Sequence, residues 1–219
     1  ELAAAVAMLK GAERPVIVAG GGVLYSEAEN RLKTFAEAHG IPVMETQAGK
    51  STLVDGHPLN MGAVGVTGTG ASNALAAEAD VVLAVGTRLA DFTTGSWALF
   101  ANPGRRIIGL NTQLFDAGKH RAHPLLADAR AGLEALDAAL GHWKAPAAWT
   151  ARAHEEKAAW APVAARYTAP TNAERPSDAQ VIGAVQRTAG ERDVVVCAAG
   201  GLPGELHKLW QSGAAGGYH

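Results

Sequence analysis

The sequence predicts an α/β fold, a Rossmann-like doubly wound parallel sheet followed by the truncated start of a second α/β domain. Short continuous apolar runs alternate with helix-like segments over residues 1–141. Such runs are typical of parallel strands that are buried on both faces. Glycine-rich turns follow some of these runs, and a chain that alternates strand and helix in this way forms right-handed crossovers in a parallel sheet.

The elements of the first domain follow from these runs and from helix-boundary signals. Strands are expected at residues 15–19, 41–46, 80–86, 105–110 and 124–127, and helices within 1–12 and at 26–39, 71–79 and 129–140. Ser26 and Glu29 have the spacing of a capping box, and Gly40 can adopt the left-handed conformation that ends a helix. The first domain is therefore expected to end near Gly141.

Residues 142–176 are predicted to be a linker with a helix that packs against a neighbouring domain. Four prolines divide this region, and its helix is expected at residues 148–166. Trp149 and Trp160 are close to three helical turns apart, so they are expected to share one buried stripe. Residues 177–219 then open a second domain, with a helix capped by Ser177, a strand at 193–197, a glycine turn at 200–204 and another helix from about Glu205.

Composition and charge exclude several classes of protein. The 219 residues are 48% hydrophobic and carry a formal charge of −2, and the basic residues are scattered, so no nucleic-acid partner is expected. No apolar run approaches the roughly 18 residues of a membrane helix, and no membrane partner is expected. The single cysteine, Cys197, excludes an internal disulfide framework and favours a cytoplasmic location. Its thiol is expected to be buried and inert, because it ends an apolar run.

Three glycine turns are candidate phosphate-binding sites, because backbone amides at such turns can approach an anion. The turns contain Gly20–Gly22, Gly70–Ser72 and Gly200–Gly204. The first two lack the full dinucleotide-binding fingerprint, since Tyr25 and Asn73 occupy positions where a glycine is needed. They are therefore interpreted first as tight turns of the sheet. The third turn is the best candidate for binding a diphosphate.

Other candidate chemistry is weaker. Residues 45–52 contain Gly-Lys-Ser and resemble half of a P-loop, but Met44 stands where that loop needs a glycine. His120 and His123 lie near two aspartates without a recognised ligand spacing, so a surface loop is favoured over a metal site. His57 precedes a proline in a loop, and both a catalytic and a solvated role stay open for it.

Several segments resemble the thiamine-diphosphate-dependent enzymes of the acetolactate-synthase-like group. RPVIVAGGG, ADVVLAVGTRLADFTTGSW and RRIIGLNTQLFDAGKHRAHPLLADARAGLEAL follow the order of the central domain of these enzymes. PSDAQVIGAVQRTAGERDVVVCAAGGLPGELHKLW resembles the entry to their C-terminal, diphosphate-binding domain. ETQAGKST and HPLNMGAVGVTGTGASN most resemble the ring-opening hydrolases of inositol catabolism within the group. The resemblance makes residues 1–141 a central domain, 142–176 a linker and 177–219 the start of the cofactor-binding domain.

The resemblance also implies cofactors, partners and site residues. It implies thiamine diphosphate and magnesium in the full-length enzyme, with Gly200, Gly201 and Leu202 beside the cofactor diphosphate. In some relatives the central domain holds FAD or ADP, which is not expected here. The residues that would contact such a nucleotide are Gly20, Gly21, Gly22, Gly70, Ala71, Ser72, Gly86, Thr87 and Arg88.

The activity that the resemblance implies is hydrolysis of a C–C bond in a small cyclic polyol dione, by a homo-oligomeric protein. No catalytic residue and no metal ligand is expected in this chain, because the activating glutamate and the Gly-Asp-Gly metal motif of the family have no counterpart in it. The chain is therefore expected to be a fragment that is inactive alone. Two alternatives stay open: a carboligase with FAD in the central domain, and a nucleotide-binding module without chemistry.

Overall fold

The computed structural model describes Glu1 to His219 and contains one sheet of six parallel strands. The strands are β1 (Pro15–Ala19), β2 (Val43–Glu45), β3 (Asn60–Ala63), β4 (Val81–Val85), β5 (Arg106–Asn111) and β6 (His123–Leu126). Their spatial order is β3-β2-β1-β4-β5-β6, and every pairing is parallel. This is the strand order of a Rossmann-like doubly wound sheet, so the predicted fold class is confirmed.

Ten α-helices accompany the sheet. They are α1 (Leu2–Lys10), α2 (Gly21–Tyr25), α3 (Glu29–His39), α4 (Gly70–Glu78), α5 (Asp91–Thr94), α6 (Leu114–Ala117), α7 (Ala129–Leu140), α8 (Ala147–Tyr167), α9 (Asp178–Gln186) and α10 (Gly201–Leu209). Short 3₁₀ turns cover Gln47–Gly49 and Lys119–Arg121. No helix combines the length and the apolar character that crossing a membrane requires.

The two faces of the sheet form two separate cores. Alternate strand residues such as Ile17, Leu83 and Ile108 pack against α1, α3 and α7. The intervening residues, such as Val18 and Val82, pack against α4 and α8. Each fully buried aliphatic side chain contributes roughly 1.5–3 kcal/mol relative to exposure, so the sheet is stabilised from both sides.

Some predicted elements differ from the observed ones near the sheet. β3 was not predicted, because Asn60–Ala63 reads Asn-Met-Gly-Ala and lacks the β-branched residues typical of strands. The capping box at Ser26 is wrong: α3 begins at Glu29 after Ala28, and the Ser26 hydroxyl donates a hydrogen bond to Asp128 instead. Gly40 ends α3 with φ 65°, as predicted.

The long helix α8 connects the sheet to the C-terminal residues. Trp149 is buried in the core on the α4 side, and its indole N–H donates to the Pro15 carbonyl at 2.8 Å. Trp160 is only half-buried and packs at the edge of a different, C-terminal cluster. The expectation that both tryptophans share one stripe is therefore wrong.

The C-terminal residues form a small unit around α9 and α10. The capping box of Ser177 and Gln180 is confirmed, whereas α10 begins at Gly201 and not at Glu205. The strand predicted at residues 193–197 is absent, and only one isolated bridge joins Val195 to Tyr218. Three backbone hydrogen bonds join residues 195–197 to residues 217–219, which is too short a pairing to form a strand. Cys197 is half-buried there, not buried as expected.

Candidate functional site

A cavity of about 540 Å³ opens at the carboxyl edge of the sheet, between the ends of β1 and β4. This is the point where the strand order reverses, and ligands of doubly wound sheets bind at such points. The turns after the two strands meet here. The lining residues named as candidates from the sequence are Gly21, Gly22, Gly86, Thr87 and Arg88.

The glycines of these two turns are required by their contact with each other. A Cβ atom on Gly20 would lie 2.4 Å from the Gly86 carbonyl oxygen, and one on Gly22 would lie 2.6 Å from the Gly86 Cα. Gly86 itself has φ 59°, and its carbonyl accepts a hydrogen bond from the Gly22 amide at 3.0 Å. Packing between backbones therefore explains these glycines without any ligand.

The charges around this cavity are mixed. Arg88 is exposed, whereas Asp116 forms an ion pair with Lys119 at 2.7 Å. Asp128 caps α7 by accepting hydrogen bonds from its first amides, and the hydrogen bond from Ser26 lowers the pKa of its carboxyl group. The cavity is large enough for a nucleotide, but two carboxylates against one arginine do not favour a polyphosphate.

The second predicted turn, Gly70, Ala71 and Ser72, lies away from this cavity. It opens α4, where the Thr69 hydroxyl oxygen accepts a hydrogen bond from the Ser72 amide at 3.0 Å. The Ser72 hydroxyl donates to the Gly62 carbonyl at 2.9 Å. A Cβ atom on Gly70 would lie 3.2 Å from the Trp160 ring, so α8 covers the turn.

The third predicted turn is open to solvent. Gly200 has φ 135°, a conformation that favours glycine, and Gly201 and Leu202 are exposed at the start of α10. A Cβ atom on Gly200 or on Gly201 would meet nothing closer than 3.9 Å. The first amides of a helix have no intrahelical partner and carry the positive end of the helix dipole. The turn therefore leaves room for a ligand beside the first amides of α10, and the Asp178 carboxylate is its nearest charged neighbour.

The predicted histidine and metal candidates do not form a metal centre. His120 packs on the Trp97 ring, and His123 contacts the Glu1 carbonyl oxygen at 2.8 Å. His57 pairs with Glu37 at 2.9 Å, a hydrogen bond that lowers the pKa of that carboxyl group. No group of three or more His, Cys, Asp or Glu side chains in the chain is arranged to hold a metal ion.

The half P-loop at residues 45–52 is a buried structural segment. A Cβ atom on Gly49 would lie 2.2 Å from the Ala19 carbonyl oxygen, so this glycine packs against β1. Lys50 is 1% exposed and lies 3.6 Å from Asp55, which leaves it no route to a phosphate. The segment is therefore not a phosphate-binding loop.

Sequence reasoning missed a buried polar network around that segment. Burial raises the pKa of Glu45 to about 7, and its carboxylate accepts hydrogen bonds from the Thr52 hydroxyl and the Leu53 amide. Burial lowers the pKa of His207, on α10, to about 3. The network joins residues far apart in the chain, so no local pattern could have revealed it.

Known proteins resemble this chain over its whole length. A model of the family described as "Thiamine pyrophosphate enzyme, central domain" matches residues 2–136. A protein of Clostridium perfringens (strain 13 / Type A) named 3D-(3,5/4)-trihydroxycyclohexane-1,2-dione hydrolase is 36% identical over 242 residues, covering 100% of this chain and 38% of the relative. Proteins of the same name from Bacillus cereus (strain AH820) and Bacillus thuringiensis (strain Al Hakam) are 38% and 37% identical with the same coverage.

The chain thus spans 38% of the length of these curated relatives. The family match covers more than half of the chain, including all six strands of the sheet. The chain therefore belongs to the family of thiamine pyrophosphate enzyme central domains.

Proposed function

We propose that this chain serves in a thiamine-diphosphate-dependent enzyme that hydrolyses a C–C bond and opens the ring of 3D-(3,5/4)-trihydroxycyclohexane-1,2-dione in inositol catabolism. The observation that carries the proposal is similarity to hydrolases of that name over 100% of this chain. That similarity extends past residue 136, where the family match ends, to the glycine turn at α10. The turn is the part of the chain that fits the cofactor.

In this proposal each region has a separate role. Residues 1–141 form the central domain, residues 142–176 the linker and residues 177–219 the start of the cofactor-binding domain. The exposed amides at Gly201 and Leu202 bind and orient the cofactor diphosphate at the N-terminus of α10. Thiamine diphosphate, when bound, supplies a nucleophilic carbon and an electron sink. Magnesium is held by residues other than those of this chain, and the protein is a cytoplasmic homo-oligomer.

The direct test measures consumption of the dione by the intact native protein, with and without thiamine diphosphate and magnesium. We expect turnover only when both are present. Turnover that does not need the thiamine cofactor, or no turnover of the dione, would contradict the proposal.

A variant tests the role of the α10 turn. Gly201→Val adds bulk where the diphosphate would lie, and we expect its affinity for thiamine diphosphate to fall about tenfold or more, equivalent to ~1.4 kcal/mol or more. Gly56→Val is the matched control, because a Cβ atom on Gly56 would meet nothing within 4 Å, and one on Gly201 would meet only the Asp178 carboxylate, at 3.9 Å. Equal affinities of the two variants would exclude the turn from cofactor binding.

A second candidate is a carboligase with FAD in the central domain, for which the cavity at the carboxyl edge has the volume but not the favourable charge. The cavity's volume of about 540 Å³ and its place at the strand-order reversal are suited to a nucleotide. This candidate predicts activity on pyruvate and a yellow protein. Calorimetry with ADP, NAD and FAD tests the remaining alternative, a binding module without chemistry.

A further inference from the structure

A second groove of about 580 Å³ lies at the amino ends of β5 and β6, on the edge of the sheet opposite the glycine turns. We call it the basic groove. Three arginines and two histidines line it, and no acidic residue does. These residues are Arg105, Arg106, His120, Arg121 and His123.

The arginines of the basic groove have no carboxylate partner. Elsewhere on the surface, Arg31 lies 2.7 Å from Asp137, and Arg152 lies 3.4 Å from Glu78. None of the three groove arginines lies within 4.0 Å of an aspartate or glutamate oxygen. Three unneutralised guanidinium groups around one concave surface create a local positive potential, although the whole chain carries a charge of −2.

Neighbouring groups hold two of these arginines in place. The Arg105 guanidinium lies over the Trp97 ring at 4.9 Å and donates to the Asn102 carbonyl at 3.2 Å. Arg106 donates to the Met8 carbonyl at 3.4 Å. An arginine that is already positioned loses less conformational freedom when it binds a ligand.

The backbone that carries the other groove cations is strained. His120 has φ 58° and Arg121 has φ 61°, so two consecutive residues other than glycine adopt the left-handed conformation. Residues other than glycine rarely adopt this conformation, and such strain is concentrated at functional sites. This conformation places both side chains along the groove, where the ring of His120 also packs on Trp97 at 4.4 Å.

We propose that the basic groove binds a small multivalent anion of the phosphate class, with Arg106 and Arg121 providing the guanidinium groups that contact it. Guanidinium groups match the geometry of phosphate oxygens through paired hydrogen bonds. Three positive charges without internal partners suit a dianion or trianion, such as a diphosphate group. This site is separate from the α10 turn and takes no part in the proposed hydrolysis.

The test is calorimetric titration of the intact native protein with inorganic pyrophosphate. We expect the double variant Arg106→Gln, Arg121→Gln to bind pyrophosphate at least about a hundredfold more weakly, since a charge-assisted pair contributes about tenfold or more. The matched control is Arg166→Gln, because Arg166 is exposed on α8 and stacks only on the neighbouring Tyr167. We expect this control to bind as the native protein does.

A single variant and two comparison ligands complete the test of the basic groove. Should the double variant fail to fold, the single variant Arg121→Gln replaces it, because the Arg121 side chain is exposed and forms no ion pair. ADP binding that is tighter than pyrophosphate binding and is weakened by the groove variants would identify a nucleotide, and equal binding weakened by them would identify a free polyanion; both results support the proposal. Unchanged pyrophosphate affinity in the groove variants, or binding of an oligonucleotide without binding of pyrophosphate, would overturn it.

Discussion

The two folded units of the chain bury their apolar side chains to very different extents. The sheet and its helices contain clusters of 26 and 15 buried hydrophobic residues, whereas the unit around α9 and α10 contains a cluster of six. Val194 and Val196 of the smaller unit are 57% and 77% exposed, although they lie in an apolar run like those of the sheet. The difference teaches that such a run becomes a strand only when another segment pairs with it along its length, whereas this run has a single bridge at Val195.

The largest expected contrast comes from deleting side-chain volume in each unit. Leu83→Ala removes a fully buried side chain from β4 and should lower the free energy of unfolding by about 2–5 kcal/mol. Val196→Ala removes an exposed side chain and should change it by less than about 0.5 kcal/mol. Urea unfolding of both variants measures the contrast, and similar losses in the two would contradict the burial difference.

Glycine substitutions sharpen the same comparison. Gly20→Ala forces a Cβ atom to within 2.4 Å of the Gly86 carbonyl oxygen and should cost about 1–3 kcal/mol. Gly201→Ala places its Cβ atom 3.9 Å from the nearest neighbour and should change stability by less than about 0.5 kcal/mol. Thermal unfolding distinguishes them, and a tolerated Gly20→Ala would mean that the two turns do not pack as described.

A substitution at the N-cap of α9 should affect the smaller unit alone. Ser177→Ala removes the hydrogen bond that the Ser177 hydroxyl oxygen accepts from the Gln180 amide at the start of α9, and should cost about 1 kcal/mol. Hydrogen exchange should show the loss in the amides of α9 and leave those of β1 and β4 unchanged. Ser26→Ala is the matched control, because Ser26 is not the N-cap of a helix and its hydroxyl bonds to Asp128, far from α9. An equal loss of protection in α9 would argue against the capping box.

A last prediction concerns the pH dependence of the sheet unit. Burial raises the pKa of Glu45 to about 7, so the folded state holds its proton more tightly than the unfolded chain does. Its contribution to stability is therefore complete below about pH 4.5 and is lost as the pH rises to about 7. Glu45→Gln should flatten this fall in thermal midpoints measured from about pH 5 to about pH 8. An unchanged slope would show that Glu45 does not titrate there.

Much of the sheet could be predicted from the sequence, because its central strands are continuous apolar runs. Residues 15–19 and 80–86 contain such runs, and both became fully buried strands. The same rule fails for β3, whose glycine and asparagine give no strand signal, and for residues 193–197, where an apolar run is paired only through one bridge to Tyr218. A strand needs a partner, and a local pattern does not report the partner.

The candidate sites were predictable only in part. Glycine turns after β1 and β4 are visible in the sequence, and the fold brings them together at one cavity. The basic groove could not be predicted, because Arg105 and Arg106 lie apart in the chain from residues 119–121 and only the topology places them side by side. The two groups of basic residues are about fifteen residues apart in the chain, and the parallel pairing of β5 with β6 brings them close together.

The ammonium group of Lys157 attaches α8 to the loop that precedes β3. It donates to the backbone carbonyls of Asp55, His57 and Asn60 at 2.8, 2.7 and 2.7 Å. One positively charged nitrogen is thus coordinated by three carbonyl oxygens, as a bound alkali ion would be. Because the charge belongs to the chain itself, this contact does not depend on the salt in solution. In a Lys157→Arg variant the charge would be spread over a planar guanidinium group, whose nitrogens could not all donate from one point to the three carbonyls. The substitution would therefore weaken the attachment of this loop to α8.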